Sequence, residues 1–120
     1  MNYRVVKKNN KKYIECISVD KQLSSERDVL DFIGICFEND ICTLVLHEDI
    51  FSEDFFNLKT GLAGIVLQKF INYHIKVAVI LENEEKFNDR FKEMIMESNK
   101  GNHFRTFKNI GDAEIWISNL

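Results

Sequence analysis

The run Ile41-Cys-Thr-Leu-Val-Leu46 constrains this chain more than any other stretch. It is continuously apolar, shows no alternation and carries β-branched residues, which predicts a central strand buried on both faces. A strand of that kind needs helices against the sheet, and the sequence supplies them in alternation. Ile75-Lys-Val-Ala-Val-Ile-Leu81 predicts a second such strand and His103-Phe-Arg-Thr-Phe107 a short alternating one. Tyr3-Arg-Val-Val6 and Tyr13-Ile-Glu-Cys-Ile-Ser18 predict an edge hairpin turning at Asn9-Asn10, whose lysines discourage edge-to-edge pairing. A capping-box-like Ser25-Glu-Arg-Asp28 opens a helix over about 24–38 that stops near Asn39-Asp40. Asn88 or Asp89 caps another, closed by Asn99-Lys100-Gly101 with the glycine left-handed. Ala113, Trp116, Ile117 and Leu120 mark a last amphipathic helix. The expected order is β-β-α-β-α-β-α-β-α: one α/β domain with a mixed, mostly parallel sheet of about five strands and about four helices.

The segment from Glu53 to Tyr73 reads as one long helix. On a helical wheel its apolar residues cover more than half the circumference, which predicts a largely buried rod. The remaining arc holds Asn57, Gly61, Gly64, Gln68 and Asn72, an uncharged strip. A glycine inside a helix costs about 1 kcal/mol relative to alanine. Close approach of another backbone would offset that cost, because glycine has no Cβ. Two readings follow: a neighbouring helix of the same chain crosses at Gly61 and Gly64, or a partner chain or ligand occupies the strip. Lys59 lies near the start of this segment, where Glu48, Asp49, Glu53 and Asp54 are candidate ion-pair partners.

At 120 residues the chain is one domain able to bury its own core. No secretory signal or membrane-spanning run is visible, so the protein reads as cytoplasmic. Cys16, Cys36 and Cys42 form no C-x-x-C pair and read as reduced, buried, hydrophobic thiols. The net charge is −3, but residues 1–12 carry five cations and no anions, while residues 13–54 carry eleven acids and two bases. An acidic protein without an extended basic stripe argues against nucleic acid as a partner.

Several segments together resemble a known family. They are Tyr13-Ile-Glu, Leu23-Ser-Ser, Leu46-His-Glu, Ser52-Glu-Asp-Phe-Phe, Leu58-Lys-Thr-Gly-Leu-Ala-Gly, Leu67-Gln-Lys-Phe, Asn72-Tyr, Arg90-Phe-Lys and Glu97-Ser-Asn-Lys-Gly. The family is the bacterial domain of unknown function DUF4180, and the element order resembles the STAS/SpoIIAA-like fold. The resemblance covers nearly the whole chain and implies a fold but no activity. STAS regulators carry a phosphorylated serine in an Asp-Ser/Thr-Ser-Gly turn after a central strand. The corresponding turn here is Ile50-Phe-Ser-Glu-Asp54, where only Ser52 offers a hydroxyl and Glu53 and Asp54 would repel a phosphate. The anti-sigma-antagonist role is therefore not carried over.

No residue pattern names a reaction. His47, Glu48 and Asp49 could ligate a metal or act as acid and base, but no spaced histidine pair accompanies them, and His74 and His103 could join only through the fold. Ser52 lacks a G-x-S-x-G elbow, and no phosphate-binding glycine loop is present. No catalytic residue, metal or cofactor is assigned. Ligands of open α/β sheets gather outside the carboxyl ends of the parallel strands. That edge should collect His47, Glu48, Ser52, Asn57 and Lys59, joined by Glu82 and Asn83, with Arg90 within reach. The first functional reading is a non-catalytic regulatory domain that binds a protein, or a second copy of itself, through the Asn57/Gly61/Gly64/Gln68/Asn72 strip. The alternative is a small-molecule binder or unrecognised enzyme centred on His47, Glu48 and Lys59.

Overall fold

A computed structural model describes residues 1–120. Five strands form one sheet in the order β1-β2-β3-β4-β5: Asn2–Lys8, Lys11–Ser18, Thr43–His47, Lys76–Ile80 and Phe104–Phe107. β1 pairs antiparallel with β2, and the other three pairings are parallel. The hairpin turns on Asn9 and Asn10, at φ 51° and 65°. Those angles suit a two-residue turn that matches strand twist, and asparagine tolerates them.

Five α-helices accompany the sheet: α1 Glu26–Asn39, α2 Glu53–Phe56, α3 Leu62–Asn72, α4 Asp89–Ser98 and α5 Ile110–Ser118. Ser25 caps α1 by accepting from the Asp28 backbone N–H, and Asp40 ends it in the left-handed region at φ 54°. Asn88 caps α4 through the Phe91 N–H. Gly101 does not take the left-handed conformation expected of it; α4 ends through Asn99 in a right-handed conformation.

Period-2 alternation along the strands sorts the core into two layers. Ile14, Cys16, Leu44, Leu46, Val77, Val79 and Phe104 point to one face, where α1, α2, α3 and α4 cover them. Tyr13, Val45, Ala78 and Ile80 point to the other, where Ala113, Trp116 and Ile117 of α5 pack. With strands in sequence order and every crossover helix on one face, each βαβ turn has the same hand, as chain chirality requires. The second face has only α5, nine residues and about 14 Å long. Its uncovered part becomes the site described below.

The single helix expected over 53–73 does not form. α2 stops at Phe56, Leu58–Thr60 makes one 3-10 turn, and α3 starts anew at Leu62. Asn57 is extended, and its Oδ1 accepts from the Lys59 N–H at 3.1 Å. Thr60 Oγ1 donates towards the carbonyls of Asp54 (2.6 Å) and Asn57 (2.8 Å) and accepts from the Leu62 N–H at 3.2 Å. Short polar side chains thus take over backbone groups that a continuous helix would have paired with each other. Gly61, at φ 75°, turns the chain in the left-handed region.

The uncharged strip is accordingly not one helix face. Asn57 and Gly61 belong to the turn, whereas Gly64, Gln68 and Asn72 lie exposed on α3, with Gln68 Nε2 donating to Asn72 Oδ1 at 2.8 Å. A Cβ built at Gly61 or Gly64 would meet nothing within 4 Å. The expected crossing of a neighbouring helix at these two glycines is therefore wrong. Gly61 is required by its backbone angle and Gly64 by nothing inside the chain. Gly64→Ala should raise stability by about 1 kcal/mol through helix propensity. Gly61→Ala should lower it by about 1–2 kcal/mol through the left-handed penalty. Urea unfolding at an unchanged m-value measures both.

Candidate functional site

The cleft lies at the carboxyl ends of β2, β3 and β4, on the sheet face that α5 leaves partly bare. It encloses about 710 Å³ and is open to solvent on one side. At its floor is Glu15, an acid inside the otherwise apolar middle of β2. Strand register explains its partners. Arg4 of β1 stands directly opposite Glu15, and Val45 of β3 stands opposite on the other side. His47, two residues beyond Val45, is therefore a same-face diagonal neighbour of Glu15, within reach of a long side chain.

The Glu15 side chain is only 8% exposed and both its oxygens are engaged. Arg4 donates through Nε to Oε1 at 2.7 Å, and its Nη2 makes an ion pair with the same oxygen, also at 2.7 Å. His47 Nε2 lies 2.7 Å from Oε2. In the neutral ring this contact places the proton on Nε2 and leaves Nδ1 as the acceptor. Burial by itself pushes the Glu15 carboxyl pKa up, but the hydrogen bonds and charges of His47 and Arg4 outweigh it and hold the group below its ordinary value. The outcome is an ionised carboxylate fixed at the base of the cleft.

The walls come from the loops that leave β3 and β4. Glu48 and Asp49 form a 3-10 turn after β3, and Glu82, Asn83 and Lys86 follow β4. Both loops are tied down. The loop after β3 is stitched to the loop after β2: the Leu23 N–H donates to Ile50 O at 2.8 Å, and the Ser52 N–H donates to Leu23 O at 3.1 Å. Gln22 Nε2 adds bonds to the carbonyls of Asp49 and Phe51. Lys86 Nζ donates to Glu48 Oε2, which joins the β3 loop to the β4 loop. Asn83 Oδ1 accepts from the Glu85 N–H and shapes its own turn. Ile17 and Ile80 are the two apolar residues of the lining.

The family model described as Domain of unknown function (DUF4180) matches residues 8–117, far more than half of the chain. The chain belongs to the DUF4180 family. No curated protein and no solved structure matches it. The matched span of this DUF4180 chain includes Glu15, His47, Glu48, Glu82, Asn83 and Lys86, and leaves out Arg4.

The expected site residues of the DUF4180 chain separate into two groups. His47, Glu48, Glu82 and Asn83 meet in the cleft. Ser52, Asn57, Lys59 and Arg90 do not line it. Lys59 is exposed in the 3-10 turn and makes no ion pair, so the expected partnership with the acidic loop is absent; Glu48 pairs with Lys86 instead. Gly61, Gly64, Gln68 and Asn72 lie on the turn and on α3, away from the cleft. His74 and His103 precede β4 and β5, at the opposite edge of the sheet from His47. No three His, Cys, Asp or Glu side chains come together as a metal site. No helix is long and apolar enough to cross a membrane.

Hydroxyls and thiols stand apart from the cleft. Ser52 Oγ is buried without a hydrogen-bond partner at the start of α2. A kinase could not reach it in this conformation. Ser52→Ala removes an unsatisfied hydroxyl, so it should leave stability unchanged or raise it by up to about 1 kcal/mol in thermal unfolding. Cys16 and Cys36 are buried, and burial pushes each thiol pKa up to about 12. Cys42 is exposed at the start of β3, contrary to the expectation that all three cysteines are buried.

Sequence reading missed Arg4, Ile17 and Lys86, and passed over Glu15. The available signal was Glu15 itself, a carboxylate in a strand whose neighbours Tyr13, Ile14 and Cys16 are all buried. A charge placed there needs partners, and its presence alone indicates a polar site on that face.

Proposed function

We propose that this DUF4180 domain is a non-catalytic ligand-binding module of STAS/SpoIIAA-like fold whose small-molecule site is the cleft at the carboxyl ends of β2, β3 and β4. One observation carries the reading: an ionised, almost fully buried Glu15, clamped by Arg4 and His47, forms the floor of an open polar cleft. A buried carboxylate costs more than an apolar residue of the same size unless its partners are well placed. Stability alone would favour covering this face with a longer α5 and an apolar residue at position 15. A pre-organised polar floor that remains open to solvent suits a bound molecule. The sequential sheet with its crossover helices on one face supports the STAS-like part of the reading.

The lining argues for binding over chemistry. It contains no serine, threonine, cysteine or tyrosine that His47 could activate. The strip Asn57/Gly61/Gly64/Gln68/Asn72, which would have served a protein partner, is broken by the turn at Gly61. The test is an NMR screen of a metabolite library against labelled protein. Hits should shift the amides of Arg4, His47 and Glu82, and Glu15→Gln should weaken them. Hits that cluster on α1 and α3, or a concentration-dependent dimer protected on those helices, would replace this reading with the protein-partner one.

A further inference from the structure

The lining also indicates the class of ligand, given the reading that the cleft is the binding site. We infer that the cleft takes an alkylammonium: a positively charged nitrogen on an aliphatic stem, such as an aliphatic diamine. Charge within the cleft is partly settled internally. Arg4 is engaged by Glu15, and Lys86 by Glu48. Asp49 and Glu82 remain exposed and without an ion pair, so the lining presents two uncompensated negative charges. His47 Nε2 is held by Glu15.

Anions, the usual ligands of this edge in α/β sheets, are disfavoured here for a specific reason. They bind where helix N-termini offer unsatisfied N–H groups. In this chain the helical turns that start at this edge carry their own carboxylates in the first turn: Glu48 and Asp49, Glu53 and Asp54, Glu84 and Glu85. Those side chains already complement the positive ends and would repel a phosphate. The apolar part of the lining completes the match. Ile17 is 44% exposed, and with Ile80 it provides the cleft's aliphatic surface among eight polar side chains. A methylene stem can lie on that surface while its ammonium group reaches Asp49 or Glu82, the arrangement lysine itself adopts on protein surfaces.

The experiment uses four probes at low ionic strength, each followed by NMR titration and calorimetry: cadaverine, pentanediol as its neutral analogue, hexanoate and inorganic phosphate. Cadaverine should shift the amides around His47, Asp49 and Glu82 and bind about tenfold more tightly than pentanediol, a difference that shrinks with salt. The double variant Asp49→Asn/Glu82→Gln should lose about tenfold in cadaverine affinity. The control Glu38→Gln/Glu93→Gln makes the same charge change at exposed positions outside the cleft, and should lose little. Circular dichroism confirms that both variants remain folded. An equal loss in the control would mean unspecific attraction to an acidic protein and would overturn the inference. Phosphate or hexanoate shifting the cleft amides while cadaverine does not would overturn the ligand class and leave the cleft standing as the site. Cadaverine bound at some other surface, with the cleft amides unmoved by every probe, would overturn both.

Discussion

Replacing Phe55 with alanine is expected to destabilise the domain by about 3–5 kcal/mol, the range for a fully buried aromatic side chain. Phe55 is 1% exposed and is the centre of an aromatic cluster. Its ring centroid lies 4.2 Å from that of Phe51, 5.3 Å from Phe56, 5.9 Å from Phe91 and 6.4 Å from Phe104. Phe56 in turn stacks on Phe87 at 4.7 Å. Phe55 thus joins three stretches that are distant in sequence, residues 51–56, α4 and β5, and Phe56 adds the β4 loop through Phe87. α2 is a single turn and cannot be stable on its own propensity. Its place is set by Phe55 and Phe56, and the loop carrying Glu48 and Asp49 is continuous with it. Chemical denaturation should show the loss, and hydrogen exchange should show residues 48–56 opening first. Phe55→Leu, which keeps most of the apolar volume, should recover much of the stability.

The regular elements were legible because their signals are local. The apolar run at Ile41–Leu46, the cap at Ser25, the asparagine turn and the periodicity of α5 each lie within one short window. The break after Phe56 was not legible from periodicity. Apolar residues continue on both sides of it, and the forces that make it are side-chain hydrogen bonds from Asn57 and Thr60, which a helical wheel does not register. Thr60-Gly61 is the local sign of the break, and a wheel that runs through Gly61 mistakes a helix end for a helix face. The same error produced the glycine strip. A pair of glycines at helical spacing implies close packing only when both are in one helix, and here one of them is the turn.

Four of the ten cleft residues could be read for a comparable reason. His47, Glu48, Glu82 and Asn83 follow buried strands directly, so the rule that ligands gather at strand carboxyl ends places them. Arg4 and Glu15 come from the hairpin, and their contribution depends on register: Arg4 against Glu15, Glu15 against Val45. Register is a pairing between distant segments and cannot be read from either one alone. The bare face of the sheet depends on α5 being short and on every crossover helix choosing the other side. That is a property of the whole topology.

Glu15→Gln should cost about 1.5–3 kcal/mol at neutral pH, the worth of hydrogen bonds to a charged group in a buried setting. The amide is nearly the same size, so no cavity forms. It cannot accept at both positions, because one oxygen becomes an NH₂: facing Arg4 it sets donor against donor, and facing His47 it requires the ring to change tautomer and accept at Nε2. The effect should depend on pH in a defined direction. The native Glu15 pKa is depressed below its ordinary value of 4.5. A depressed carboxyl contributes stability that is fully present above the unfolded value and is lost as pH falls through the native value. The gap between wild type and Glu15→Gln should therefore be widest near neutrality and should close on acidification below 4.5. Urea unfolding of both proteins across that range measures it. A pH-independent gap would mean that Glu15 contributes through packing and that the carboxylate is not held ionised by Arg4 and His47. Arg4→Met provides the complement. It removes the guanidinium, whose side chain is 64% exposed, so it should cost less than Glu15→Gln while raising the acid midpoint, because the native carboxyl would lose one of the two groups that depress it.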